Sequence, residues 1–277
     1  MKNLEIMRAN TLQQSNNLQR GLRKGMAFAV SMIAALCLSQ AYGLAAKTTS
    51  TASAPKSTNK KLVSSLSGMT RSAVQDMTND GAEFLKEMSD AANNLNSYSF
   101  LSSMTVFKNG KTIQENSKFY FKKPRSIRAE EMGPYKKGSV AVLLKNGKVK
   151  GHLGGLLSKF SGTVDADSDW VQSANGYPLV DSDYFSMSKV MIDFANKGKK
   201  SIVTQSPVTV TGQPKPVYVL EMYTDASKQE LMKRAYVDPQ NLLPVEWFDY
   251  KDGKLFAHTL WKDLKLNVDL DDSLFNL

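Results

Sequence analysis

The chain has 277 residues, of which 42% are hydrophobic, and this length suffices for one large domain with a tail. Its single cysteine, Cys37, excludes a disulfide framework, so the fold must be stabilised by packing. The net charge of +10 is concentrated locally: residues 108–159 hold 13 Lys or Arg against 3 Asp or Glu, whereas residues 160–277 are net acidic.

Residues 1–46 have the pattern of an export signal. Basic residues up to Lys24 precede an apolar run from Met26 to Leu38, and small residues follow it. The run is shorter than the roughly 20 residues that a membrane-spanning helix needs. We therefore expect a cleaved signal, with an uncleaved anchor as the alternative, and a periplasmic or cell-envelope location. An exported chain is not expected to bind nucleic acid.

Residues 47–77 are rich in Ser and Thr and poor in large apolar side chains, so they cannot bury enough surface to offset chain entropy. We expect a disordered linker there, followed by a folded domain over residues 78–277. The first helix is predicted to begin at Asp80, where Glu83 three positions later suggests a capping box. Apolar residues recur at helical spacing and predict a buried stripe: Phe84, Met88, Ala91 and Leu95.

Three turns of the pattern Lys-[Asn/Asp]-Gly-Lys join alternating apolar and polar runs, at positions 108–111, 145–148 and 251–254. Asn-Gly and Asp-Gly adopt the positive φ angles of a two-residue hairpin at little cost, so the pattern predicts antiparallel strands. The strand that returns from the first turn carries Phe119 and Phe121 on one face, because side chains alternate at period two.

The segment 151–157, GHLGGLL, breaks this alternation with three glycines among apolar residues. Two interpretations are open. The segment is either a movable flap over a hydrophobic opening or a glycine-rich connection before a short helix from Leu156 to Phe160.

A second helix is predicted from Tyr184 to Lys197, with Gly198 at the position that follows a helix end. Its apolar stripe includes Met187 and Met191. Methionines at such positions serve either an adaptable binding surface or an ordinary core.

The stretch from Arg234 to Leu264 contains three strand patterns joined by turns at residues 238–241 and at Asp252-Gly253. In the middle strand, Trp247 points to one face and Phe248 to the other. A sheet with aromatic residues on both faces favours a curved arrangement that encloses helices or a cavity over a flat sheet facing water.

Residues that carry catalysis are scarce. The chain has only two histidines, His152 and His258, on separate hairpins, and no Ser, His and acid set has a recognisable spacing. The acidic clusters 165–169 and 269–272 lack the ligand order of a calcium loop, and nucleotide-binding signatures are missing. We therefore expect a binding protein rather than an enzyme, without a metal or cofactor. The basic block 108–159 indicates either attraction to anionic lipid headgroups or a solvated strand face.

Several segments resemble the superfamily of periplasmic lipoprotein carriers and outer-membrane lipoprotein receptors, LolA and LolB. These are FYFKKPRSIR at 119–128, YVDPQNLLP at 236–244, and Leu266-Asn267 with the terminal Phe275. The middle of the domain, from Gly133-Pro-Tyr-Lys-Lys-Gly138 through Gly154-Gly155 to Gly176-Tyr-Pro178, resembles an uncharacterised exported family of that superfamily, a domain of unknown function.

The resemblance implies a mainly β (α+β) fold over residues 78–277: a strongly curved antiparallel sheet that forms an incomplete barrel, with helices covering its concave apolar face. The helices would swing aside to admit acyl chains. By the same resemblance, Arg128 is expected to latch the lid helices over the empty cavity; the alternative is an outward-facing, solvated residue of its strand. The expected cavity residues are Phe119, Phe121, Leu156, Leu157, Met187, Met191, Trp247 and Trp261.

The resulting hypothesis is a monomeric, non-enzymatic envelope protein that binds or carries a lipid or acylated lipoprotein and docks to an anionic membrane surface. The alternative is a periplasmic protein-interaction or sensor module that uses the same fold.

Overall fold

The computed structural model describes residues 76–197, 200–227 and 230–277. The predicted export signal and most of the linker lie outside these residues, as does Gly198. The first described strand includes Met77, which the composition assigned to the end of the linker. The strands are β1 (Met77–Thr78), β2 (Ser97–Lys108), β3 (Lys111–Lys122), β4 (Ser126–Glu131), β5 (Val140–Leu143), β6 (Lys148–His152), β7 (Ser161–Asp165), β8 (Lys200–Thr204), β9 (Tyr218–Tyr223), β10 (Leu231–Val237), β11 (Pro244–Lys251) and β12 (Lys254–Leu266).

Within the described residues, these strands form one antiparallel sheet in the order β1-β8-β9-β10-β11-β12-β2-β3-β4-β5-β6-β7. The sheet is open, because β1 and β7 are its two edges. Its curvature is indicated by the cavity that Ala141 on β5 and Trp247 on β11 line together, since five inter-strand steps would separate them by roughly 24 Å on a flat sheet. The predicted open, curved antiparallel sheet is therefore confirmed.

Two of the three predicted turns have the geometry of two-residue hairpins. Asn109 and Gly110 have φ angles of 53° and 70°, and Asp252 and Gly253 have 52° and 67°. The remaining turn is wider, because β5 ends at Leu143 and β6 begins at Lys148.

The first helix, α1 (Gly81–Asn93), lies on the concave face of the sheet. Its buried side chains, including Phe84 and Met88, pack against residues of β8 to β11. The predicted capping box is wrong: the Asp80 side chain makes no capping hydrogen bond. The helix start is instead held by Gly81, where an added Cβ would lie 2.5 Å from the carbonyl carbon of Ser201. Only glycine permits this approach of the helix to β8.

The second helix, α2 (Tyr184–Asn196), packs against α1 and forms the other part of the cover over the concave face. Asp183 caps it by accepting a hydrogen bond from the Ser186 backbone N–H at 3.0 Å. The Tyr98 hydroxyl accepts from the Tyr184 N–H at 2.9 Å. The bond to Tyr98 ties the helix start to β2. No helix of the described residues has the length and apolarity needed to cross a membrane.

The convex face is also covered, which explains the aromatic residues on both sides of the sheet. Phe248 and Tyr236 pack beneath Val210 and Val217. Farther along the sheet, the C-terminal segment places Phe275 against residues of β3 and β5.

Candidate ligand-binding cavity

A partly open cavity lies between the concave face of the sheet and the segments that cover it. Its volume is about 150 Å³, which is room for on the order of ten waters. The sheet contributes residues from β2, β3, β4, β5, β11 and β12. The cover contributes α2 and two loops, residues 170–177 and 179–182.

One part of the cavity wall is apolar and aromatic. The rings of Phe100 and Phe119 stack with centroids 4.8 Å apart. The Trp261 ring meets Phe100 edge-on at 6.4 Å and Trp247 at 6.5 Å. Met187 of α2 also lines this part of the cavity. Such a wall suits a hydrocarbon chain, since it offers close contacts without polar groups that need partners.

Five of the eight predicted cavity residues line this space: Phe119, Met187, Met191, Trp247 and Trp261. Phe121 belongs to the packed core instead, where its ring stacks on Tyr98 at 4.8 Å. Leu156 and Leu157 are on the surface, with 96% and 51% of their area exposed. They were predicted to line the cavity because they are apolar. The direction in which their side chains point, however, depends on a contact with another segment of the chain.

That contact is made by Gly154. An added Cβ there would lie 1.8 Å from the Lys137 carbonyl oxygen, so the two backbones pack directly. The segment continues as a short 3₁₀ helix, Gly155–Lys159, whose leucines point outward. The local structure thus matches the interpretation of a glycine-rich connection before a short helix.

Arg128 lies on the convex face of the sheet. Its neighbour in β4, Ala129, points to the concave face and lines the cavity. Arg128 Nε donates to the Glu130 carboxylate at 2.6 Å, and its Nη1 donates to the Leu274 carbonyl at 2.9 Å. In this structure it therefore holds the C-terminal segment rather than a helix that covers the cavity.

The other part of the cavity wall is polar and contains two carboxyl groups and one ammonium group. Glu115 is 5% exposed, and its carboxylate accepts a hydrogen bond from the Ala174 N–H at 2.6 Å. Lys136 Nζ donates to the carbonyls of Gln172 at 2.7 Å and Trp170 at 3.1 Å. These bonds fix the loop over this end of the cavity.

Glu131 completes this group. Its Oε2 is buried and has no hydrogen-bond partner among the described residues. Burial, and then the neighbouring charge of Glu115, raise the pKa of Glu131 to about 8. Burial also raises the pKa of Glu115 and lowers that of Lys136.

A second polar group borders the aromatic wall. Lys233 Nζ donates to the carboxylate of Asp249 and, at 2.7 Å, to the hydroxyl of Tyr177. Asp249 also accepts from the Trp247 indole N–H at 3.2 Å. This network fixes the orientation of an indole that lines the cavity.

The two carboxyl groups were not predicted from the sequence, although a signal was present. Glu115 shares its strand face with Phe119, and Glu131 shares its face with Ile127 and Ala129. A glutamate on an otherwise apolar face of a strand indicates a buried carboxyl group.

The histidines do not meet in one site. His258 contacts the Glu246 carboxylate and stacks on Phe248, a convex-face residue, whereas His152 contacts the Leu153 carbonyl. Within the described residues, no three His, Cys, Asp or Glu side chains are grouped so that they could hold a metal ion.

The sequence matches no family model, and no curated protein matches it significantly. Several solved structures are similar. A DUF1329 family protein from Desulfovibrio piger is 14% identical, with 71% of this chain and 95% of that chain covered and a TM-score of 0.38. A putative outer membrane lipoprotein-sorting protein domain from Vibrio parahaemolyticus is 12% identical, with coverage of 71% and 96% and a TM-score of 0.39.

A LolA superfamily protein from Nitrosomonas europaea is 10% identical, with 71% of this chain and 97% of that chain covered and a TM-score of 0.38. Proteins of this superfamily and of a family of unknown function, which the sequence was predicted to resemble, are thus among the solved structures similar to this chain, and the similarity is one of structure alone. At these identities and TM-scores, it carries no information on ligands or on the roles of individual residues.

Proposed function

We propose that the protein binds or carries an acylated or otherwise amphiphilic ligand, a lipid or lipoprotein, in the cell envelope without catalysing a reaction. The observation that carries the proposal is the cavity between the sheet and α2. It has an aromatic wall at Phe100, Phe119 and Trp261 and a polar end at Glu115 and Glu131. This division matches a molecule with one apolar and one polar part.

The energetics of hydrocarbon burial support such a ligand. Burying a methylene group yields roughly 0.8 kcal/mol, so about ten methylenes provide sufficient affinity without a charged contact. A methylene is similar in size to a water molecule, and the cavity holds on the order of ten waters. The space therefore suits one short acyl chain.

The proposal is tested by mass spectrometry of natively purified protein and by titration of delipidated protein with a fluorescent fatty acid. We expect a co-purified amphiphile and saturable uptake at one site. A protein that carries no lipid after native purification and takes up no probe after delipidation would refute the proposed function.

We also propose that the exposed tip, defined as Leu156, Leu157 and Phe160, contacts an anionic membrane surface. These side chains are 96%, 51% and 73% exposed. The exposed Lys137 and Lys159 flank them, because Gly154 packs on the Lys137 backbone. Apolar side chains beside lysines fit an interface that is apolar inside and negatively charged at its surface.

Replacing the three residues of the exposed tip with serine is expected to lower binding to vesicles that contain anionic lipid by roughly tenfold or more, because less apolar surface enters the bilayer. Co-sedimentation with anionic and neutral vesicles measures this. Phe185→Ser, at an exposed apolar residue of α2, is the matched control. Equal sedimentation of the triple variant and the unaltered protein would place membrane contact elsewhere.

A further inference from the structure

The polar end of the cavity is short of one positive charge. Of the ionisable side chains that line the cavity, Glu115, Glu131 and Lys136 lie close enough to interact with one another at this end. The ammonium of Lys136 is already engaged with two backbone carbonyls, and the carboxylate of Glu115 with a backbone N–H. Glu131 Oε2 is buried without a hydrogen-bond partner among the described residues. A buried oxygen of this kind costs free energy until a donor reaches it.

The electrostatics agree with this geometry. Two carboxylates and one ammonium leave an uncompensated negative charge in a space partly removed from water, where charges interact strongly. Glu131 therefore takes up a proton near neutral pH, in keeping with its pKa of about 8. A cation at the same place would remove the need for that proton.

We infer that this end of the cavity receives a cationic amino group of the bound amphiphile, which donates hydrogen bonds to Glu131 and balances the two carboxylates. The inference rests on the proposed function and specifies its ligand class: an amphiphile with a primary ammonium group near its acyl chain. An anionic headgroup is disfavoured, because it would meet both carboxyl groups while Lys136 is already engaged.

This assignment requires that binding releases a proton. In the free protein Glu131 is protonated below pH 8, and the ammonium group of the ligand stabilises its ionised form. Affinity must therefore rise with pH, by up to tenfold per unit below pH 8, and level off above it. Between pH 6 and pH 9 the expected gain is roughly 90-fold for a free-state pKa of about 8.

Other titratable groups face the same region and must be separated from Glu131. Glu115 lies on β3, Tyr135 and Lys136 belong to the connection after β4, and the charge of Asp169 acts on Lys136. Glu131→Gln removes the proposed proton while keeping the size of the side chain. Glu130→Gln, at the adjacent residue that pairs with Arg128 on the convex face, is the matched control.

The experiment titrates the protein with dodecylammonium, dodecanol and dodecanoate, each at concentrations where it is monomeric in solution, from pH 6 to pH 9. Tryptophan fluorescence reports binding, because Trp247 and Trp261 line the cavity. We expect dodecylammonium to bind roughly 90-fold more tightly at pH 9 than at pH 6, and dodecanol to show no such change. The dependence should disappear in Glu131→Gln and persist in Glu130→Gln.

The possible outcomes separate this inference from the proposed function. If none of the three amphiphiles binds, the proposed function fails as well. If dodecanol or dodecanoate binds as tightly as dodecylammonium at pH 9, the cavity holds acyl chains but the ammonium site is wrong. If Glu131→Gln retains the full pH dependence, another group releases the proton and the assignment to Glu131 is overturned.

Discussion

Ala141→Trp is expected to weaken dodecanol binding on the order of 100-fold while leaving the protein folded. Ala141 lies on β5, lines the cavity and is paired with Ala129 of β4. An indole at this position enters a space with room for only about ten waters. If it displaces four methylenes into water, the loss is about 3 kcal/mol.

Fluorescence titration measures the affinity, and thermal melting followed by circular dichroism verifies the fold. Thr163→Trp, at an exposed position of β7, is the matched control and should bind dodecanol unchanged. Ala129→Phe fills the same cavity from the adjacent strand. This variant replaces Ala141→Trp in the test if Ala141→Trp does not fold. A folded variant of either kind with unaltered affinity would show that the acyl chain binds outside this cavity.

Lys233→Met should lower the free energy of unfolding by about 3–5 kcal/mol, because it leaves the buried carboxylate of Asp249 without its cation. The two side chains are only 11% and 10% exposed, so the carboxylate is poorly hydrated once its partner is lost. The change also removes the donor to the Tyr177 hydroxyl. Urea denaturation at neutral pH measures the difference.

Lys251→Met is the control for Lys233→Met, since Lys251 is exposed and its loss should change stability little. The double variant Lys233→Met with Asp249→Asn should recover most of the stability, because a neutral amide still accepts from the Trp247 N–H. A single variant as stable as the unaltered protein would mean that the Asp249 charge is solvated in the folded state.

The local parts of the fold could be predicted because their causes are local. Asn109-Gly110 and Asp252-Gly253 take the positive φ angles that their residue types tolerate, and the strands on either side pair as the alternation requires. The apolar stripe of α2 likewise places Tyr184 and Met191 in the core. For α1, the stripe predicted the burial of Phe84 and Met88, whereas Ala91 is only half-buried. The start of the helix depends on packing of Gly81 against β8.

Which residues line the cavity could be predicted only in part. Alternation shows that Phe119 and Phe121 share a face, yet Phe119 lines the cavity while Phe121 packs in the core beside its cross-strand neighbour Tyr98. Their difference depends on where other segments lie above the strand. Arg128 could be assigned to the face opposite Ala129, but its partner Leu274 is 146 positions away in the chain.

By itself, the sequence determined two of the three hairpin turns, the alternating strand faces and the two amphipathic helices, since these depend on backbone preferences and on periodicity within a few residues. The tertiary structure alone decided that Leu156 and Leu157 point into solvent and that Glu115, Glu131 and Lys136 meet at one end of a cavity. The physical reason is that burial and electrostatic partners are properties of contacts between distant segments. Such contacts exist only after the sheet has curved and its cover has packed against it.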